Sequence, residues 1–450
     1  MTAASGSGRG YGSLGLAWGS MSIAFGGIVA FLFRGMNLVV ALGLVVLCSR
    51  QLSEGDYGTF VLGLTIVGVV NAATGGLTAA TGYQVSSKKR PTGTAMANGG
   101  VLGLGLGGLA VVAGIAVGAL LTGEAHREAL AVGFACAAVI IASVVAGTFL
   151  GRESFIRYNL ALVVPPLLSL VLISIAFFVF DQREPDVALE MYALGQWLAI
   201  GLLVVSAGRT LLNGIALEAA VVRQIFRFAV VAGVASGISY LNYRADLFLV
   251  DHFEGRDGVA TYSLAVYIAE SVWQVSGSLA LATYARLGGS TRTEAIALTT
   301  RVMRHTVLLL AAICLGLFAV ADVIERVLFP DYEGMATALR LVLPGVLMYS
   351  LAQSFSGFYT WQRGMPWVSA AVAGAGLCID LGLAWLLIPR MGVNGAALAS
   401  AIAYSTAILG GLIVFIRTEN LSPWQVFRFG RADVEDYRSL FGRLRARRIG

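Results

Sequence analysis

The sequence predicts an all-α polytopic membrane protein, with about 12 transmembrane helices in two six-helix lobes around a central cavity. Hydrophobic residues fill 57% of the 450 positions and charged residues only 12%, about half the roughly 25% charge of a soluble domain. Twelve long apolar stretches follow one another between residues 21 and 416. The loops between them alternate in charge sign. A bilayer core of roughly 30 Å takes about 20 apolar residues per crossing, and backbone groups facing lipid must be satisfied within the segment. A transmembrane barrel would need short, strictly alternating strands; runs such as Ala41 to Leu47 do not alternate.

Span one, 22–48, carries Arg34 near its middle and Asn37 one turn on. Span two, 57–83, follows the acidic turn Glu54-Gly55-Asp56 and carries Asn71, Thr74, Thr78 and Thr81 at helical spacing. In span three, 96–121, Gly103, Gly105 and Gly108 match a dinucleotide-loop spacing. No strand precedes them, so close helix packing is the better reading. Span four, 128–150, is a further long apolar stretch, and span five, 157–180, contains Pro165-Pro166. That pair removes backbone donors and should kink the helix. Span six, 189–208, comes after Asp181, Glu184 and Asp186.

Span seven, 228–250, places Ser236, Ser239, Tyr243 and Asp246 on one face, with Arg244 beside them. After Asp251, Glu254 and Asp257, span eight, 259–285, places Ser263, Tyr267, Glu270, Gln274 and Gly277 on another. Spans nine and ten, 303–328 and 335–360, follow, the second striped with Tyr349, Gln353, Ser356 and Thr360. Span eleven, 366–388, holds Asp380 alone, which reads as a packing or lipid-facing carboxyl at least as readily as a functional one. Span twelve, 393–416, leads into a basic tail. There Val434, Tyr437, Phe441 and Leu444 recur beside five arginines, the pattern of an amphipathic helix on an anionic leaflet.

Cytoplasmic loops keep an excess of Arg and Lys. With the N-terminus inside, 22 of the 31 basic residues fall in cytoplasmic loops and the tail, 6 outside and 3 within spans. Both termini are therefore expected in the cytoplasm. The net charge of +6 belongs to these topogenic loops and not to a nucleic-acid groove, so no nucleic-acid partner is expected. Cys48, Cys136, Cys314 and Cys378 sit in or at the end of apolar spans without metal-ligand spacing, which argues against a disulfide framework or zinc site. Asp251-His252-Phe253-Glu254 reads as a solvated turn and not as metal ligands. The Ser/Gly-rich start lacks a compact cleavage region, so no cleaved signal peptide is expected. Neither a catalytic triad, a Walker loop nor an H-E-x-x-H sequence occurs, and no enzymatic activity or cofactor is expected.

Polar side chains persist in lipid-crossing helices mainly where they face a bundle interior or a water-filled cavity. Spans one, two, seven and eight are all striped, and one and two correspond in order to seven and eight. A polar cavity between two halves explains that pattern. Hydroxyls alone would be explained by helix–helix gluing; the stripes with Asp246 and Glu270 favour the cavity. Guanidinium groups suit phosphate through bidentate hydrogen bonds. Arg34, with no acid in its own span, reads as an anion contact. Arg244 reads equally as an anion contact or as half of an internal pair with Asp246 or Glu270. Tyr243, Tyr267, Gln274 and Gln353 complete the expected substrate-binding set. Asp246 and Glu270 are the expected ion-coupling carboxylates.

Tyr57-Gly58-Thr59-Phe60 opens span two after an acidic turn, much as Val259-Ala260-Thr261-Tyr262 opens span eight. This weak similarity divides the chain into a cytoplasmic segment 1–21, an N-lobe 22–208, a cytoplasmic connection 209–227, a C-lobe 228–416 and a tail 417–450. Three stretches then give a family resemblance: Ser49-Arg50-Gln51-Leu52-Ser53-Glu54-Gly55-Asp56-Tyr57-Gly58, Arg244-Ala245-Asp246-Leu247-Phe248-Leu249-Val250, and Ile388-Pro389-Arg390-Met391-Gly392-Val393-Asn394-Gly395. In order and spacing the chain resembles the polysaccharide flippases of the multidrug/oligosaccharidyl-lipid/polysaccharide exporter superfamily. The resemblance implies alternating access without ATP and a lipid-linked anionic oligosaccharide, of the undecaprenyl-diphosphate type, flipped across a bacterial cytoplasmic membrane. Membrane lipids and a polysaccharide polymerase or glycosyltransferase would be its partners. Many members have more helices than the twelve expected here. A cation-coupled multidrug antiporter, a non-transport membrane scaffold and an enzyme of lipid-linked sugar assembly are the competing readings.

Overall fold

The computed structural model describes residues 23–122, 127–208, 211, 213–428 and 430, and among these there is no strand. The N-terminal segment 1–21 and the expected tail helix around 434–444 lie outside the described residues. The helices are α1 (Ile23–Gln51), α2 (Glu54–Ser86), α3 (Thr92–Thr122), α4 (Arg127–Gly151), α5 (Phe155–Phe178), α6 (Pro185–Ala207) and α7 (Ala219–Ser271). They are followed by α8 (Trp273–Gly289), α9 (Arg292–Leu328), α10 (Met335–Tyr349), α11 (Ala352–Gly357), α12 (Pro366–Met391), α13 (Val393–Thr418) and α14 (Pro423–Phe427).

Eleven segments are long and apolar enough to cross a bilayer, and one of them runs for 62 residues from Ala219 to Ala280. That segment is two crossings. Arg244 and Glu270 lie 26 positions apart, about 39 Å along a straight helix, yet their side chains meet at 2.7 Å. The reversal occurs at Gly255, whose φ of 72° and ψ of −168° fall in a region essentially reserved for glycine. Spans seven and eight are thus a helical hairpin, and the count of twelve is recovered.

Helix ends extend past the apolar windows because a helix needs lipid-compatible side chains only within the hydrocarbon. α7 starts at Ala219, so the first turns expected to be connection, with Arg223 and Arg227, are already helical. α9 starts at Arg292, eleven residues ahead of its apolar window. Thr291 accepts from the Glu294 amide while Glu294 accepts from the Thr291 amide, a reciprocal cap written in the sequence as T-x-x-E. The tenth crossing is a composite: α10 ends at Tyr349, α11 follows, and a π-helical turn from Phe358 to Gln362 completes it.

In the first half α4 packs on α2, α3 and α6, α5 packs on α6, and α1 lies mainly against α5. In the second half α13 packs on α10 and α12, and α9 lies on α10. α2 and α7 join the halves along much of their length. Gly76 faces Ala229 and Gly233, and Gly233 faces Ala73, so two helix backbones approach with no side chain between them. Of the three glycines expected to pack span three, only Gly103 does so, against Ile141 and Val144; Gly105 and Gly108 have nothing within 4 Å. α5 runs continuously through Pro165 and Pro166. Large apolar residues such as Val39, Val205, Val231 and Leu315 are exposed on the exterior, as a lipid-facing belt requires.

Candidate functional site

A cavity of about 1030 Å³ lies among α1, α2, α4, α5, α6, α7, α8 and α11. Its walls carry Arg34, Asn37, Tyr243, Arg244, Tyr267, Glu270, Gln274 and Gln353. Eight of the nine residues proposed from sequence therefore meet at one void. The helical stripes explain why: side chains three and four positions apart share a face, so Tyr267, Glu270, Gln274 and Gly277 all reach it from one side.

Arg34 stands exposed on the cavity wall and makes no ion pair with another described residue. Arg244 is deeply set, with its side chain 12% exposed against 9% for Glu270. Besides the 2.7 Å bridge to Glu270, it donates to the Tyr243 carbonyl at 2.9 Å and its guanidinium sits 4.8 Å from the Tyr267 ring centre. Of the alternatives left open by sequence, Arg244 takes the internal pair, and its partner is Glu270. Glu270 Oε1 has no protein hydrogen-bond partner. The bridge is neutral as a unit, so Arg34 leaves the described ionic lining with a net positive charge.

Asp246 is the exception: it does not line the cavity. It is 2% exposed and accepts from the Tyr262 hydroxyl, from Ser400 Oγ at 3.2 Å and from the Leu247 amide at 2.9 Å. The same Ser400 hydroxyl reaches Asp380 Oδ1 at 3.1 Å. Asp380 is 1% exposed; it faces the bundle interior, not lipid, and is not alone. Its partner arrives from α13, which no single-helix periodicity could show. Two carboxylates bridged by one hydroxyl in a dry interior require a counter-charge, either a shared proton or a small cation. Asp246 and Glu270 thus belong to different environments.

Sequence reasoning named Tyr243 and Tyr349 but missed the aromatic cluster they form with Trp273 and Tyr404. Tyr243, Trp273, Tyr349 and Tyr404 pack with ring centres 4.9–5.8 Å apart. Tyr240 lines the cavity too; its place four residues after Ser236 and three before Tyr243 is the signal that could have found it.

Near the start of α2, Tyr57, Phe60 and Val61 line the cavity. Just beyond, the halves are tied together. Arg50 donates to the carbonyls of Val327 and Leu328, Tyr332 donates to the Ser49 carbonyl at 2.8 Å, and the Tyr57 and Tyr332 rings meet edge to face at 5.9 Å. No group of His, Cys, Asp and Glu suited to a metal occurs among the described residues. Asp251 to Glu254 are helical, and His252 stacks on Trp385.

No family model matches this chain. No curated protein matches it in sequence. Solved structures do match in fold. A MOP superfamily transporter from Pyrococcus furiosus, reported with a binding pocket of reverse polarity, is 15% identical with a TM-score of 0.62, covering 88% of this chain and 94% of that one. An inward-facing multidrug resistance MATE family transporter of the MOP superfamily gives 15%, 0.65, 89% and 96%. The lipid II flippase MurJ, in an inward closed conformation, gives 13%, 0.69, 87% and 87%. The chain is a multi-pass helical membrane protein with the fold shared by transporters of the MOP superfamily.

Proposed function

We propose that this protein is an alternating-access transporter that flips an anionic lipid-linked oligosaccharide across the bacterial cytoplasmic membrane. One observation carries the reading: a large intramembrane cavity has an unpaired arginine, Arg34, while its acid Glu270 is matched by Arg244. A cavity for cationic drugs would need acid in excess; this one has the opposite sign. A diphosphate leaving water for such a site needs a cation, because an unpaired charge there costs several kcal/mol. Arg34 supplies it, and Arg244 is a second guanidinium recruited when Glu270 is released. Asn37, Gln274 and Gln353 offer neutral hydrogen bonds. The two sets of six crossings, 22–208 and 228–416, rock about the α2–α7 seam, and both termini stay in the cytoplasm. The tie among Arg50, Val327, Leu328 and Tyr332 then closes the outer side, so the cavity described here serves the inner one.

The reset uses Asp246 and Asp380 in this reading. Taking up or releasing a proton or small cation between them changes how α7, α12 and α13 hold together, and α7 also carries Arg244. Asp246→Asn and Asp380→Asn should each slow transport and remove its dependence on an imposed pH or Na⁺ gradient.

The test is a pair of assays in proteoliposomes. A fluorescent polyprenyl lipid with a diphosphate-linked sugar should be flipped by the native protein, weakly by Arg34→Lys, which keeps charge but loses the planar fork, and not by Arg34→Glu. Ethidium efflux should be absent. Ethidium transport that improves in Arg34→Glu would replace this reading with the multidrug one.

A further inference from the structure

A second cavity of about 490 Å³ falls within the roughly 300–1,000 Å³ span of small-ligand sites. It lies between α7, α10, α11 and α12, with Ala72 of α2 at its edge. Its composition differs in kind from the first: no Asp, Glu, Lys, Arg or His is among its described lining residues. Hydroxyls converge from four helices instead, including Ser236 on α7, Tyr349 on α10, Ser356 on α11 and Ser369 on α12. Tyr240, Tyr243 and Gln353 line both cavities, so the chamber shares a wall with the site holding Arg244.

The hydrogen bonds within the chamber leave capacity unused. A hydroxyl offers one donor and two acceptor positions. Ser369 donates to Ser356 at 2.9 Å and Tyr349 donates to Tyr243 at 3.1 Å. In each pair the receiving hydroxyl keeps its own hydrogen. A hydrocarbon tail in this chamber would strand those donors in a dry medium, at a cost comparable with a lost hydrogen bond each. A charged group would find no counter-ion among the described lining residues. A neutral group rich in hydroxyls would match both the donors and the acceptors, and the faces of Tyr243 and Tyr349 can receive its C–H surface.

We infer that this chamber binds a neutral sugar ring of the transported molecule, while the cavity beside it holds the anionic linkage. The inference rests on the proposed transport of a lipid-linked glycan and adds to it that the residues nearest the lipid carrier are uncharged sugars.

The test uses purified full-length protein in lipid nanodiscs, with maltose as the sugar probe in saturation-transfer NMR and inorganic pyrophosphate as the anion probe in calorimetry. The double variant Ser356→Val with Ser369→Val should weaken maltose binding about fivefold or more, the equivalent of about one net hydrogen bond, and leave pyrophosphate binding unchanged. Ala370→Leu, which adds bulk at the chamber wall and removes none of its hydroxyls, should do the same and serves if the double variant fails to fold. Arg34→Gln should do the reverse. Maltose binding that is absent in the native protein, or equal in native and filled variants, overturns the inference. So does displacement of maltose by farnesol with tighter farnesol binding in the valine variant, which would make the chamber a tail site. Maltose binding lost as expected, without any pyrophosphate binding, leaves the sugar site standing and removes the anionic-substrate reading.

Discussion

At the residue scale, the Arg244–Glu270 bridge is an ion pair with both side chains nearly enclosed in the bundle. Its two members come from the two arms of one hairpin and meet at 2.7 Å. Removing one partner leaves a buried charge without its match, which costs about 3–5 kcal/mol. Glu270→Ala and Arg244→Ala should each lower thermal stability in detergent by about that much, whereas Glu270→Gln with Arg244→Gln should recover a large part. Equal destabilisation by the double variant would mean that the bridge is not a unit. Ser400 presents a different case, because one hydroxyl serves two carboxylates at 3.2 and 3.1 Å. Ser400→Ala should therefore disturb Asp246 and Asp380 together, and should be non-additive with Asp380→Asn in a double-mutant cycle.

At the element scale, the hairpin of α7 depends on a single backbone conformation. Gly255 sits at φ 72° and ψ −168°, where a side chain costs roughly 1–3 kcal/mol. Gly255→Val should reduce stability by that amount. The larger consequence is for activity, since the turn sets how Tyr262 meets Asp246 and how Glu270 meets Arg244. Gly334, with φ of 89° and nothing within 4 Å of an added Cβ, provides the comparison: Gly334→Ala carries backbone strain without touching the cavity. Comparable losses of transport in both variants, at matched membrane levels, would separate activity from the hairpin geometry.

At the scale of the whole molecule, closure at one end and a cavity behind it form a single arrangement. Arg50 reaches the carbonyls that end α9, and Tyr332 reaches Ser49 at the end of α1. The proposed alternating access requires these contacts to part in each cycle. With exposed Cys378 replaced by serine, cysteines at Arg50 and Leu328 joined by a short bifunctional reagent should stop transport, and a reductant-cleavable linker should restore it. Transport that continues through the cross-link would show that this end does not open. Reporter fusions after Arg90 and Ser290 should read cytoplasmic, and those near Arg183 and Asp257 external. A reversed pattern would assign the closed end to the cytoplasm.

The sequence by itself determined what the bilayer imposes locally. Hydropathy fixed the number of crossings, loop charge suggested their orientation, and the spacing of polar residues identified faces such as Tyr267, Glu270 and Gln274. Each of these is a property of one helix in one solvent, and so is readable from consecutive residues. The tertiary structure decided which faces meet. Glu270 and Asp246 looked equivalent along the chain, yet one turns to Arg244 at the cavity and the other to Tyr262 and Ser400 in the packed interior. Asp380 looked isolated because its partner stands twenty residues away on the next helix. The hydroxyl chamber needed four helices to form. Inside a membrane a polar side chain must find its partner within the protein, and that partner is chosen by helix packing, which no single span encodes.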